Sequence, residues 1–211
     1  GHSLWPGFTN VPNEFIESYF PLRIETYATI PDSGGAGLHR GGNGLTVAYR
    51  FLADGEIGIH DDRWLTYPWG VLGGEPGLRS TKRLVRTDGS EEWLGAKAEG
   101  IKVKKGDLLY FNTWGGGGWG DPFERDPELV RQDVARRLVT VEGARRYGVV
   151  IGDDGSVDTD ATAALAVAVQ VEILHVVAAE AVDNAQTIMV KEHEMELRKI
   201  DGERRAICLL V

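Results

Sequence analysis

Two glycine-rich stretches carry most of the chemical interest of this sequence. The first is Asp32-Ser33-Gly34-Gly35-Ala36-Gly37-Leu38-His39-Arg40-Gly41-Gly42-Asn43-Gly44. It sets an imidazole beside a fixed cation in a frame of small residues. Such a pair can bind an anionic substrate or support proton transfer. The other reading is a surface loop with Arg40 in an ion pair. The second stretch is Thr113-Trp114-Gly115-Gly116-Gly117-Gly118-Trp119-Gly120-Asp121-Pro122. Successive amides in a glycine run can converge on an anion or carboxylate, which makes Gly116 and Gly117 candidate substrate-binding positions. The other reading is a tight, tryptophan-flanked corner. No Gly-Lys-Ser/Thr follows, so this is not a Walker loop, and the context is not that of the dinucleotide fingerprint.

Other polar residues are more dispersed. The five histidines are His2, His39, His60, His175 and His193, and no two have the spacing that places a ligand pair on one helix face. His60-Asp61-Asp62 can offer mixed nitrogen and oxygen ligands to a metal, or form a solvated turn. His175 reads as a core histidine and His193 as part of a solvated face. The first ten residues place His2, Ser3 and Asn10 among Trp5 and Phe8, as a pocket wall or as a frayed leader. The single cysteine, Cys208, allows no internal disulfide and no cysteine-based zinc site. No metal site is expected on this chain.

The elements that must position these residues are β-type up to Thr113. Leu22–Thr29 alternates, with Leu22, Ile24, Thr26 and Ala28 on one face; Leu45–Leu52 puts Leu45, Val47, Tyr49 and Phe51 on one face. Asp54-Gly55 and Asp88-Gly89 are hairpin signals. Ile101–Val103 and Leu108–Phe111 are short strands joined by Lys104–Asp107. After the glycine run, Asp126-Pro127-Glu128 reads as a helix start, followed by an apolar stripe of Leu129, Val130, Val134 and Leu138. Thr140 can cap a helix over Val141–Tyr147 that stops at Gly148. Ile151–Val157 is a loop or a turn-linked strand pair around Asp154-Gly155, and Ala161–Ala185 is a helix. The fold class is therefore α+β: a β-rich, barrel- or sandwich-like part over 1–113, a glycine corner and helical end over 114–157, and a tail over 158–211.

The 211 residues fit one domain with an appendage, or two small domains. The net charge of −9 weighs against a nucleic-acid partner and gives no reason for docking on an anionic membrane. The most apolar run, Ala161–Val169, is too short to span a bilayer. Glycine, at 28 residues, is about twice as frequent as usual.

In series, these segments resemble one family. Asn10-Val11-Pro12-Asn13-Glu14-Phe15-Ile16-Glu17, Phe20-Pro21-Leu22-Arg23, Asp32-Ser33-Gly34-Gly35-Ala36-Gly37 with Arg40-Gly41-Gly42-Asn43-Gly44, Gly115–Pro122, Arg125-Asp126-Pro127-Glu128, Asp133-Val134 and Tyr147-Gly148-Val149-Val150 follow the order and spacing of the hydantoinase B/oxoprolinase family. The resemblance covers about Gly1 to Val157 and is to the C-terminal part of the family's longer B-type chain. It implies a cytoplasmic B-type subunit of an ATP-dependent cyclic amide hydrolase, or of a ketone carboxylase, acting with an ATP-binding A-type partner. ATP and magnesium belong to that partner. A divalent metal belongs to an upstream B-type piece, so this chain alone is expected to be an incomplete catalyst, and a non-catalytic assembly role is a third reading. The resemblance points to His2, Asn10 and Arg40 as catalytic or pocket-facing. It adds Glu14 and His39 near the substrate, and makes Asp121, Arg125 and Asp126 structural. The tail beyond about Asp160 does not resemble the family's ending.

Overall fold

The computed structural model describes residues 11–168. A short helix, α1 (Asn13–Tyr19), precedes seven strands: β1 (Leu22–Thr29), β2 (Leu45–Phe51), β3 (Gly55–His60), β4 (Thr81–Val85), β5 (Glu91–Leu94), β6 (Lys97–Val103) and β7 (Leu108–Asn112). A 3-10 turn (Pro122–Glu124), helix α2 (Pro127–Ala135) and a second 3-10 turn (Gly143–Tyr147) follow. Five strands form an antiparallel sheet in the order β1-β2-β7-β4-β5, and β3 pairs with β6 in a second sheet. Phe51, Leu84 and Leu109 of the large sheet meet Ile57, Ile101 and Val103 of the small one. The mixed α and β class holds, and the β part is sandwich-like with no closed barrel.

Several local expectations change in three dimensions. The helix α1 lies in a region whose sequence reads as β. In β1 the register shifts between Ile24 and Thr26, so Tyr27, not Thr26, joins Leu22 and Ile24 on the face toward Val47 and Tyr49. A bulge inserts one residue and flips every side chain beyond it. Asp54-Gly55 does not close a β2–β3 hairpin. The Asp54 carboxylate instead accepts the Lys105 amide (2.8 Å), and β3 leaves for the second sheet. Likewise, the Lys104–Asp107 turn joins strands of different sheets. Asp88-Gly89 does close the β4–β5 hairpin, with Gly89 at φ +85°.

The helical end has its own core of Ala36, Val130, Val139, Ala144, Tyr147, Val149 and Ile151. Asp126 caps α2 by accepting the Glu128 amide (2.9 Å), with Pro127 in the first turn. The helix stops at Ala135, before Leu138, because Arg137 takes φ +58° and the amide of Leu138 turns back to the Asp133 carbonyl (2.9 Å). Thr140 accepts the Gly143 amide (2.8 Å), but the segment it caps is a 3-10 turn over Gly143–Tyr147, ended by Gly148 at φ +69°. Ile151 and Val157 form a single bridge. The first compact unit runs through Thr162. Residues 159–168 are helical, and the rest of the expected Ala161–Ala185 helix lies outside the described residues. Among the described residues, no helix is long and apolar enough to cross a membrane.

The glycines explain how the two cores join. Three segments, 33–41, 70–78 and 115–120, run backbone against backbone. Gly35 N donates to Gly116 O (2.8 Å), Leu78 N to Ser33 O (2.8 Å), Gly115 N to Leu78 O (3.0 Å), Glu75 N to Ala36 O (2.7 Å) and Gly118 N to Glu75 O (2.9 Å). A Cβ at Gly118 would be driven into the carbonyl of Ala36, and one at Gly35 into the carbonyl of Glu75. Carbonyl oxygens of neighbouring segments occupy the space side chains would need.

Two outcomes test this account. Gly118→Ala should destabilise the protein by about 3 kcal/mol or prevent folding, whereas Gly42→Ala, where a Cβ meets nothing within 4 Å, should change stability by no more than about 0.5 kcal/mol; urea denaturation reads both. The second concerns Asp107, buried at the β6–β7 turn. Burial pushes its carboxyl up, but the amides of Lys104 (3.0 Å) and Thr87 (3.2 Å) and the Arg86 guanidinium (3.0 Å) prevail and hold it below the usual carboxylate range. A carboxylate with a depressed folded pKa adds stability above its unfolded pKa and loses it as pH falls through the folded one. Asp107→Asn should therefore cost about 2 kcal/mol at pH 7 and flatten the loss of stability below about pH 4.

Candidate functional site

His2 and Asn10 lie outside the described residues, and the structure places the other candidates in three environments. Arg40 is half-buried against α2. Its Nε lies 3.2 Å from Asp133 Oδ2, and its NH1 donates to Gly41 O (2.9 Å) and Asn43 Oδ1 (3.2 Å). Arg125 reaches the same Asp133 oxygen through NH2 (2.9 Å) and donates through NH1 to Leu38 O (2.9 Å). One buried carboxylate thus holds two guanidinium groups, one from each side of the glycine corner. Arg146 adds a third tie, to Glu75 through Nε (2.8 Å) and to the carbonyl of Asp32 (3.1 Å). Tyr147 packs among these cations. Burial raises its phenol pKa, although Arg146, Arg125 and Arg40 act the other way.

His39 is exposed. Its ring lies 5.4 Å from that of Trp119, and the two residues exchange backbone hydrogen bonds (3.0 and 2.9 Å). Asp121 caps the 3-10 turn by accepting the Phe123 amide (2.9 Å). The amides of Gly115, Gly116 and Gly118 already donate to Leu78, Gly42 and Glu75. The glycine run is a tight corner in which these three main-chain donors face neighbouring carbonyls. Gly117 lies against the Trp69 carbonyl.

His60 ends β3, and Asp61 and Asp62 lie in the loop beyond it, where the three side chains take different partners. His60 pairs with exposed Glu99, Asp62 with Lys97 (3.5 Å), and Asp61 turns inward to Lys82. Lys82, on β4, is 1% exposed and also lies over the Phe111 ring (4.7 Å). Burial pulls its pKa down to about 8. Among the described residues, no three His, Cys, Asp or Glu side chains gather as a metal site.

A cavity of about 430 Å³ lies between α1 and the face of β1, β2 and β7. Its apolar wall includes Val11, Ile16, Ile24, Val47 and Phe111, and its polar groups come from Asn13, Tyr27, Tyr49 and Thr113. Burial raises the Tyr49 phenol pKa, with Tyr27 adding to the shift. A neighbouring cavity of about 230 Å³ shares Thr113 and contains Arg79, Thr81 and Asn112. The exposed Glu14 and the half-buried Arg40 line neither cavity. Sequence reasoning passed over Tyr49 and Thr113, although the alternation of β2 places Tyr49 on the inward face. It could not have found Tyr27, which the bulge redirects, or Asn13, which depends on α1.

Asp133→Asn should lower stability by about 3 kcal/mol, because it leaves two half-buried guanidinium groups without their shared anion. Arg40→Ala removes one of the two contacts and should cost less. Paired denaturation curves would measure both.

The family model described as hydantoinase B/oxoprolinase matches residues 1–122. An uncharacterized protein of Methanocaldococcus jannaschii is 38% identical over 157 residues, covering 72% of this chain and 28% of that protein. The beta subunit of caprolactamase from Pseudomonas jessenii is 35% identical over 156 residues, covering 71% of this chain and 26% of that subunit. The crystal structure of ATP-dependent caprolactamase from the same organism superposes with a TM-score of 0.66 at 32% identity, over 72% of this chain and 27% of that one. A nucleotide-free acetone carboxylase structure shares the fold, with a TM-score of 0.65 at 23% identity over 78% and 27% of the two chains. The chain thus spans about a quarter of the length of these relatives. With the family match covering more than half of its residues, the chain belongs to the hydantoinase B/oxoprolinase family.

Proposed function

We propose that this chain is part of the B-type subunit of an ATP-dependent enzyme that opens a cyclic amide: a hydantoin, 5-oxoproline or a lactam. The observation that carries the reading is the likeness, at 32% identity and a TM-score of 0.66, to an ATP-dependent caprolactamase. A cyclic amide is a poor electrophile, and phosphorylation of its oxygen makes ring opening feasible. In this reading an A-type partner binds ATP and magnesium and supplies that phosphoryl group. In the same reading, a divalent metal belongs to B-type sequence upstream of this chain.

This chain contributes walls and rigid placement. The cavity beneath α1 suits a small, mostly apolar ring: its aliphatic side chains exclude water, and a few polar groups orient the ligand. Asn10 is proposed as substrate-facing because it is bonded to Val11, which lines that cavity. His2 is proposed as substrate-facing with it. Arg40 acts here as a positioning residue, through Asp133, on the glycine-rich backbone.

The test is ATP turnover by the purified assembly containing this chain. With hydantoin, 5-oxoproline or caprolactam, phosphate release should rise at least about tenfold over the amide-free rate, with one ring opened per ATP. Turnover that instead requires bicarbonate and a ketone would assign the carboxylase reading. Turnover unchanged when this chain is removed would make it an assembly subunit.

A further inference from the structure

Residues 61–80, between β3 and β4, form a 20-residue loop, of which Tyr67, Leu78 and Arg79 line the smaller cavity and Glu75 joins the arginine network. Loops of this length inside a compact domain commonly carry function. This one exposes Trp64, Leu65, Tyr67, Trp69, Val71 and Leu72, with Trp69 at 65% and Leu72 at 70% accessibility. So many large apolar residues on one exposed loop mark an interaction surface.

The loop is held in place. Val71 N donates to Gly118 O (2.9 Å), Glu75 N to Ala36 O (2.7 Å), Gly77 N to Pro68 O (2.9 Å) and Ser80 N to Arg63 O (3.0 Å). The Arg63 guanidinium lies over Trp69 and that of Arg79 over Tyr67, each at 4.5 Å. Tryptophan, tyrosine and arginine on a rigid frame are the residues that dominate association energies, because little side-chain freedom is lost on binding.

We propose that this loop is the docking surface for the part of the B-type subunit that lies outside this sequence. The occupant follows from length: relatives carry nearly three quarters of their chain beyond the region matched here. The loop offers that remainder a rigid, exposed apolar surface. The occupant's matching surface is apolar, with carboxylates or main-chain carbonyls facing Arg63 and Arg79. The proposal rests on the reading of the chain as part of a B-type subunit.

Hydroxyl-radical footprinting of the wild-type protein is the first test, comparing the complete B-type subunit with this 211-residue chain alone. Trp64, Tyr67 and Trp69 should be protected at least about fivefold in the subunit, while Trp93, exposed on β5, should label equally in both. Equal labelling of the loop in both would overturn the proposal. The second test is sedimentation of the chain with the remaining B-type polypeptide. Trp69→Asp and Leu72→Asp should each weaken association at least about 30-fold and leave the melting of the chain unchanged, and Trp93→Asp should do neither. Wild-type affinity in both loop variants would overturn the proposal, as would concentration-dependent self-association of the chain that those variants abolish. Neither measurement uses ATP or substrate. An assembly that forms through the loop but shows no amide-dependent ATP turnover counts against the proposed function alone.

Discussion

The structure depends on three stretches of backbone lying close enough to exchange hydrogen bonds without intervening side chains. Gly35, Gly115 and Gly118 place main-chain atoms where a Cβ would meet a carbonyl. This contact joins the β-sandwich, through the ends of β2 and β7, to the helical end, through Ala36 and the 3-10 turns. Glycine pays a large entropy cost on folding, and here main-chain hydrogen bonding along all three segments offsets it.

The ion-pair network follows from that packing. Segments without side chains cannot build a hydrophobic core of their own, so charged neighbours hold them from outside. Asp133 on α2 receives Arg40 from the first glycine stretch and Arg125 from beyond the second, while Arg146 ties Glu75 of the long loop to the carbonyl of Asp32. Asp32, itself at φ +59°, accepts both the amide and the hydroxyl of Thr140 (2.9 and 2.6 Å). These polar contacts align the helical end with the sheet. The sheet's inner face keeps one buried ion pair of its own, Asp61 with Lys82, between the two layers.

The proposed functional surfaces sit at the margins of this frame. The cavity beneath α1 uses the sheet face that β3 and β6 leave uncovered, and the aromatic loop uses the backbone of the glycine segments as its mount. One rigid core thus presents an apolar-walled cavity and an exposed apolar loop. Both fit the proposed place of the chain as one part of a larger enzyme.

By itself, the sequence determined what depends on neighbours along the chain. Asp126-Pro127 marked the start of α2, Asp88-Gly89 the β4–β5 hairpin, and Thr140 and Gly148 the limits of a turn, because caps and positive-φ glycines act over three or four residues. The family was legible too, through ordered motifs that no single spacing would identify. Tertiary structure alone decided the rest. The β1 bulge exchanged Thr26 for Tyr27 on the inner face, and β3 paired with β6 rather than β2. The glycine run became a packed corner rather than an open nest of amides, because its partners lie about 40 and 80 residues away in sequence. An ion pair was one of the two readings for Arg40, but its partner Asp133 was hidden for the same reason: a pairing between residues 93 positions apart leaves no periodic trace in the sequence.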